Sequence, residues 1–358
     1  MSAADLWARL SDEGLVEGEL PERAQAPSPW YVRTMLGVAG WIGALFLLLF
    51  VGATLSVVMD EAGFAVAAGA ACCAGAYALF RSFEGHDFAD QFGLAVSLAG
   101  QMMMIGGLAQ LIDVQDAGFF LAVAAVEAGL ALAIPNFLHR VLAAAGAALA
   151  LALAVNQLGL HGLAAPLLCA GLAFVWLEPE RWAAGGRVWR PAGYGLVLAL
   201  LLVETFRLFG AEMLFAPGTG DAGWMALYGP LLGRGLTAAL LVWAAADIAV
   251  REGHEPWSRT SLAAAGSALV LGLPSLAAPG LASALLVLLL GFAAGNRLLL
   301  ALGILALLGF ITHFYYSLQA SLLDKSILLA VTGLVLLAAH FLLARTFPPE
   351  RPPEEADA

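Results

Sequence analysis

The sequence predicts an all-α protein, a polytopic bundle of about 12 transmembrane helices with both termini in the cytoplasm. Three observations predict it. Apolar residues make up 61% of the 358-residue chain and charged residues only 12%, against about 45–50% and about 25% in a soluble domain. The apolar residues gather into runs close to the roughly 20 residues that cross a bilayer core. Between those runs, basic residues recur on alternate sides.

The elements follow in chain order. Residues 1–33 form a cytoplasmic segment in which Leu6, Trp7 and Leu10 recur at helical spacing up to Gly14, a short amphipathic helix before the Pro-rich joint PERAQAPSPW. Arg9, Glu13 and Glu17 precede the first apolar run, so that run is expected to serve as its own insertion signal. The bundle occupies 34–344, with spans expected at 34–59, 62–80, 92–112, 118–138, 141–157, 163–177, 192–209, 229–249, 260–274, 278–294, 298–318 and 326–344. Pro274 and Pro279 leave open a broken or re-entrant pair in place of the ninth and tenth spans. Residues 345–358 are a polar tail rich in Pro and Glu, also cytoplasmic.

Orientation follows from the positive-inside rule. With the N-terminus inside, the inner segments hold Arg9, Arg23, Arg33, Arg81, Arg140, Arg181, Arg187, Arg190, Arg251, Arg259, Arg297, Arg345 and Arg351, and the outer half holds only Arg207, Arg234 and Lys325. Shifting the spans by one would scramble this alternation. The outer turns carry Asp60, Glu61, Asp113, Asp116, Glu212, Asp221 and Asp324. Within the first span, Ala39 with Gly43 and Gly40 with Ala44 are small residues four apart, a spacing that lets helices approach closely.

Several function classes are excluded or disfavoured. Nucleic acid needs a basic stripe, which a chain of net charge −11 does not offer. A P-loop needs GxxxxGK before Ser or Thr, and the only lysine, Lys325, lacks those glycines, so no nucleotide is expected. The six histidines stand singly and no HExxH occurs, so no metal or other cofactor is expected. Cys72, Cys73 and Cys169 lie inside apolar runs, without disulfide or metal spacing. GLPS at 272–275 departs from the GxS of an intramembrane serine protease. No catalytic residue is assigned.

The remaining candidates are ionisable residues within spans, which are costly there and therefore functional by default. Glu127, near the middle of the fourth span, has no basic residue within helical reach and must be protonated, face water or pair with another helix. Glu204 and Arg207 are three apart in the seventh span and share a face. Arg234 enters the eighth span from the same side, and His313 and Tyr316 lie near the outer end of the eleventh. Depth alone puts Glu204, Arg207, Arg234, His313 and Tyr316 in one outer layer, either as separate interfacial groups or as an outward-facing polar pocket. Asp324 and Lys325 then form the outer turn before the last span. Asp247 reads as an end charge, and Gln101, Gln110 and Asn156 as hydrogen-bonding glue between helices.

The phrases SPWYVR (28–33), GWIGALFLL (40–48), PNFLHR (135–140), WRPAGYGL (189–196), GNRLLL (295–300) and FYYSLQASLLDKS (314–326) occur in an order that resembles a bacterial multi-pass membrane family, domain of unknown function 4401. The resemblance implies the bundle architecture over nearly the whole chain. It also implies a small membrane-anchored or periplasmic partner, since such proteins look like gene neighbours of one named for a GDYxxLxY motif. It carries no site residues. Two functions are therefore expected: a structural or complex-forming component of the bacterial inner membrane, or a transporter or lipid-handling protein with an intramembrane polar site.

Overall fold

The computed structural model describes residues 29–55, 61–83, 86–208 and 223–318, with scattered positions between 7 and 14 and between 323 and 345. Among the described residues the chain is all helical: α1 (Trp30–Leu55), α2 (Ala62–Ser82), α3 (Asp87–Leu111), α4 (Ala117–Ala133), α5 (Phe137–Gln157), α6 (Ala164–Trp176), α7 (Pro179–Leu208), α8 (Trp224–Arg251), α9 (Arg259–Gly272), a 3-10 turn (Leu273–Leu276), α10 (Leu281–Ala293) and α11 (Arg297–Ser317). Each corresponds to one of the first eleven expected runs. Most of the twelfth, the turn residues Asp324 and Lys325, most of the amphipathic N-terminal segment and nearly all of the polar tail lie outside the described residues.

Capping explains several starts. Asp116, Asn136, Ser258 and Asn296 each accept a hydrogen bond from a backbone N–H in the first turn of the helix that follows, at 3.0–3.2 Å. Those oxygens satisfy donors that helix geometry leaves over. α7 begins earlier than its apolar run, with a break at Gly185 (φ −150°, ψ 32°), which brings Arg187 and Arg190 onto the helix.

Six described helices are long and apolar enough to cross a membrane: Ala62–Ser82, Asp87–Leu111, Phe137–Gln157, Gly185–Leu208, Trp224–Arg251 and Arg297–Ser317. Others are shorter than the apolar runs suggested. α6 and α10 have 13 residues each, about 20 Å of helix against a hydrocarbon core of about 30 Å. Prolines and glycines end them early, at Pro279 and Gly280 before α10 and at Gly162 before α6.

The largest buried cluster lies between α5, α6, α7, α8 and α10, with Cys169, Leu172, Val197, Leu200, Leu286 and Val287 at its centre. Short α6 runs through it. α2 and α3 form a tight pair, because Gly69 and Gly100 face each other so closely that a Cβ on either would meet the other's carbonyl oxygen. In lipid, where apolar side chains gain little by leaving the solvent, such close backbone approach is a main source of helix association. α1 lies against α3 through Gly40 and the buried Ala44, and Trp41 Nε1 donates to Gln91 Oε1 at 3.1 Å.

Two polar expectations change here. Asn156 does not bridge spans; its Oδ1 lies 3.0 Å from His161 Nδ1, within the turn joining α5 to α6. Gln110 is exposed. Gln101 does reach another helix, with Nε2 3.4 Å from His139 Nε2, while Ser97 Oγ stands 3.0 Å from the other ring nitrogen. Asp247 accepts from Arg251 Nε at 2.5 Å, and Arg251 also reaches Glu178 at 3.3 Å and the Leu177 carbonyl at 2.6 Å. Those contacts tie together the basic ends of α6, α7 and α8.

Candidate functional site

A cavity of about 530 Å³ opens at the opposite end of the bundle from most of the arginines. Glu204, Arg207, Arg234 and His313 all line it, joined by His161, Thr237, Ser275 and Ser283. Antiparallel helices explain the convergence: α5, α7, α9 and α11 finish at this end, while α6, α8 and α10 start from it.

Two irregular segments make the cavity possible. The turn between α5 and α6 dips inward, with His161 only 4% exposed. Gly162 (φ +87°) lies directly against Gly229 and Gly233 of α8, and a methyl group on any of the three would overlap a backbone carbonyl oxygen of its neighbour. The 3-10 turn and Gly280 (φ +87°) form the other wall, beneath Phe310. Non-helical backbone at membrane depth is tolerated where protein buries it or where it lines a polar cavity.

The first turns of α6 and α10 border the cavity through Ala165, Ala282 and Ser283. Neither N-terminus has a side-chain cap, so orphan N–H groups and the positive end of the helix dipole remain there. Glu204 is 4% exposed and its Oε1 accepts a hydrogen bond from Ser283 Oγ at 2.6 Å. Behind Ser283, Cys169 Sγ lies 4.0 Å from the same hydroxyl. Arg234 Nη1 donates to the Leu276 carbonyl at 3.0 Å, which anchors the 3-10 turn to α8. Arg207 feels the charges of both Glu204 and Arg234.

Among the described residues, two arginines, two helix N-termini and one carboxylate thus border the cavity. That excess of positive potential suits an anionic group. Among the described residues no three His, Cys, Asp or Glu side chains gather as metal ligands would.

The other candidates lie elsewhere. Tyr316 does not line the cavity: it is 76% exposed and sits edge-on to Tyr315, with ring centroids 5.5 Å apart. Residues three apart on a helix diverge by about 60°, enough to send His313 inward and Tyr316 out. Glu127 is 3% exposed on α4, close to Gly146 of α5, and its Oε2 has no hydrogen-bond partner. It stands apart from the cavity.

Sequence reasoning passed over His161, Thr237, Ser275 and Ser283. Single polar residues in apolar runs carry no signal of which neighbour they will meet. The useful signal was punctuation: LGLHG and LPSLAAPG set glycines and prolines inside otherwise apolar stretches, and both became cavity walls.

The model of a family described as a domain of unknown function (DUF4401) matches residues 29–346, and the chain belongs to that family. No curated protein and no solved structure matches it.

Proposed function

We propose that this multi-pass membrane protein binds a small anionic ligand in the cavity around Arg207 and Arg234, as a transporter or lipid-handling protein of the bacterial inner membrane. One observation carries the reading: among the described residues, two uncapped helix N-termini and two arginines converge on a cavity of about 530 Å³ that one carboxylate also lines. Pockets of roughly 300–1,000 Å³ are the usual size for small ligands. Short helices whose N-termini meet at membrane depth are a recurring way to hold an anion in carriers. The alternation of basic residues across about 12 expected spans supports an orientation with both termini in the cytoplasm and the cavity on the outer side.

A phosphate or carboxylate could arrive on a soluble molecule or as a lipid headgroup. Radiolabelled inorganic phosphate and short-chain phosphatidylglycerol separate the two sources when each is bound to the purified protein in detergent. Saturable binding of either is expected, and Arg207→Gln or Arg234→Gln should weaken it about tenfold or more, the loss of one charge-assisted hydrogen bond. Glu127→Gln, outside the cavity, should leave binding unchanged. The outer-side assignment further expects phosphate to bind right-side-out membrane vesicles and not inverted ones. No saturable binding of either probe, or binding indifferent to both arginines, would overturn the reading.

A second reading, a complex-forming membrane component with a small membrane-anchored or periplasmic partner, draws on the position of α1. Among the described helices it has α3 as its main contact, and it exposes Met35, Trp41, Leu45, Phe46 and Leu49. Lipid alone can cover such a face. Co-purification from native membranes in mild detergent tests it, and recovery of this chain alone in repeated preparations would remove it.

A further inference from the structure

A second cavity, of about 660 Å³, runs along the side of the bundle between α4, α5, α6 and α7 and shares no lining residue with the first. Its lining along α5 extends from Arg140 to Val155, roughly 20 Å at the rise of an α-helix. Ala124, Ala128, Ala144 and Ala147 keep the slot open, and Trp189 and Leu196 of α7 close one side. The exposed Leu132, Leu151 and Leu167 on its rim connect it to the lipid. Its walls are almost wholly apolar, and among the described residues the one charged residue lining it is Arg140.

Among the described residues Arg140 is held in place by backbone carbonyls alone. Its Nη1 donates to the Arg187 carbonyl at 2.8 Å and its Nη2 to the Leu132 carbonyl at 3.4 Å, while its Nε is buried with no hydrogen-bond partner. Among the described residues no carboxylate pairs with this guanidinium. Arg187 lies beside it, and Arg190 follows one turn later on α7, both exposed. A long apolar slot thus ends in uncompensated positive charge, on the side that the arginine distribution assigns to the cytoplasm. Basic pockets between helices on that side suit anionic lipid headgroups.

We propose that the slot is a binding site for one anionic phospholipid of the inner leaflet, with an acyl chain lying along α5 and the phosphate at Arg140 and Arg187. The acyl chain fills the alanine-lined volume, and the phosphate supplies the acceptor that Arg140 Nε lacks. A zwitterionic lipid offers the same chain but less net charge to the arginines. The site is independent of the anion-binding cavity, so the two readings can fail separately.

The test is native mass spectrometry of the protein released from micelles containing equal amounts of phosphatidylglycerol and phosphatidylcholine. One retained phosphatidylglycerol is expected in preference to phosphatidylcholine. Arg187→Gln, which leaves the backbone carbonyl in place for Arg140, should reduce that preference about fivefold, the contribution of one arginine to anionic-lipid attraction. Ala147→Phe should block the slot and abolish retention, while phosphate binding at the first cavity, which Ala147 does not line, stays as in the unsubstituted protein. If that variant does not fold, Ala128→Leu at the exposed rim reads the same blockage. Equal retention of the two lipids, or retention unaffected by filling the slot, would show ordinary boundary lipid and overturn the proposal.

Discussion

Replacing Glu204 by Leu is expected to destabilise the protein by about 3–5 kcal/mol, the cost of removing one partner from a buried charged group. Among the described residues Glu204 is the only carboxylate lining the cavity, which Arg207 and Arg234 also line. Without it, the charge among the described lining residues shifts further toward the two guanidiniums. Ser283, which is 1% exposed, also loses the acceptor that its hydroxyl reaches at 2.6 Å. Thermal unfolding followed by tryptophan fluorescence in detergent measures the loss.

Glu204→Gln separates charge from shape. The amide oxygen can still accept from Ser283, so part of the lost stability should remain. Phosphate should bind this variant more tightly than the unsubstituted protein, because the competing carboxylate is gone. At a phosphate concentration about 100 times its dissociation constant, linkage would return about 2.7 kcal/mol. A melting curve for Glu204→Leu that matches the unsubstituted protein would mean that the arginines escape to water and that the cavity does not confine them.

The second large effect is expected at Gly162. Alanine there must hold a left-handed backbone, which costs roughly 1–2 kcal/mol, and must also push the turn away from Gly229 of α8, at about 1–3 kcal/mol for overpacking. A total near 3 kcal/mol is expected, with loss of phosphate binding because His161 and the start of α6 move together. Gly159→Ala supplies the comparison. That residue also has a positive φ, 78°, but a methyl group there meets nothing within 4 Å. It should show the backbone cost alone, and equal losses at the two positions would refute the close contact between turn and helix.

Much of the cavity was legible one residue at a time. Glu204, Arg207, Arg234 and His313 stood out because charge and imidazole are expensive in lipid, and helix alternation put them at one depth. Depth is not contact, however. Tyr316 satisfied the same depth argument and faces outward, while His161 and Ser283 looked like incidental polar residues and line the wall. Glu127 was equally conspicuous and ended apart from the others, since residue spacing contains nothing about which helices become neighbours.

The sequence by itself determined the solvent and the secondary structure: long apolar runs require lipid, and lipid requires every backbone group to be bonded within a helix. It also carries the sidedness expectation, because arginine placement is a property of loops counted along the chain. Only the tertiary structure decided that α6 and α10 stop short and aim their N-termini into a common space, and that Gly162 can enter α8's glycine groove. Those outcomes depend on close packing between segments far apart in the chain, where ångström-scale fit selects one arrangement among many that share the same hydrophobic pattern.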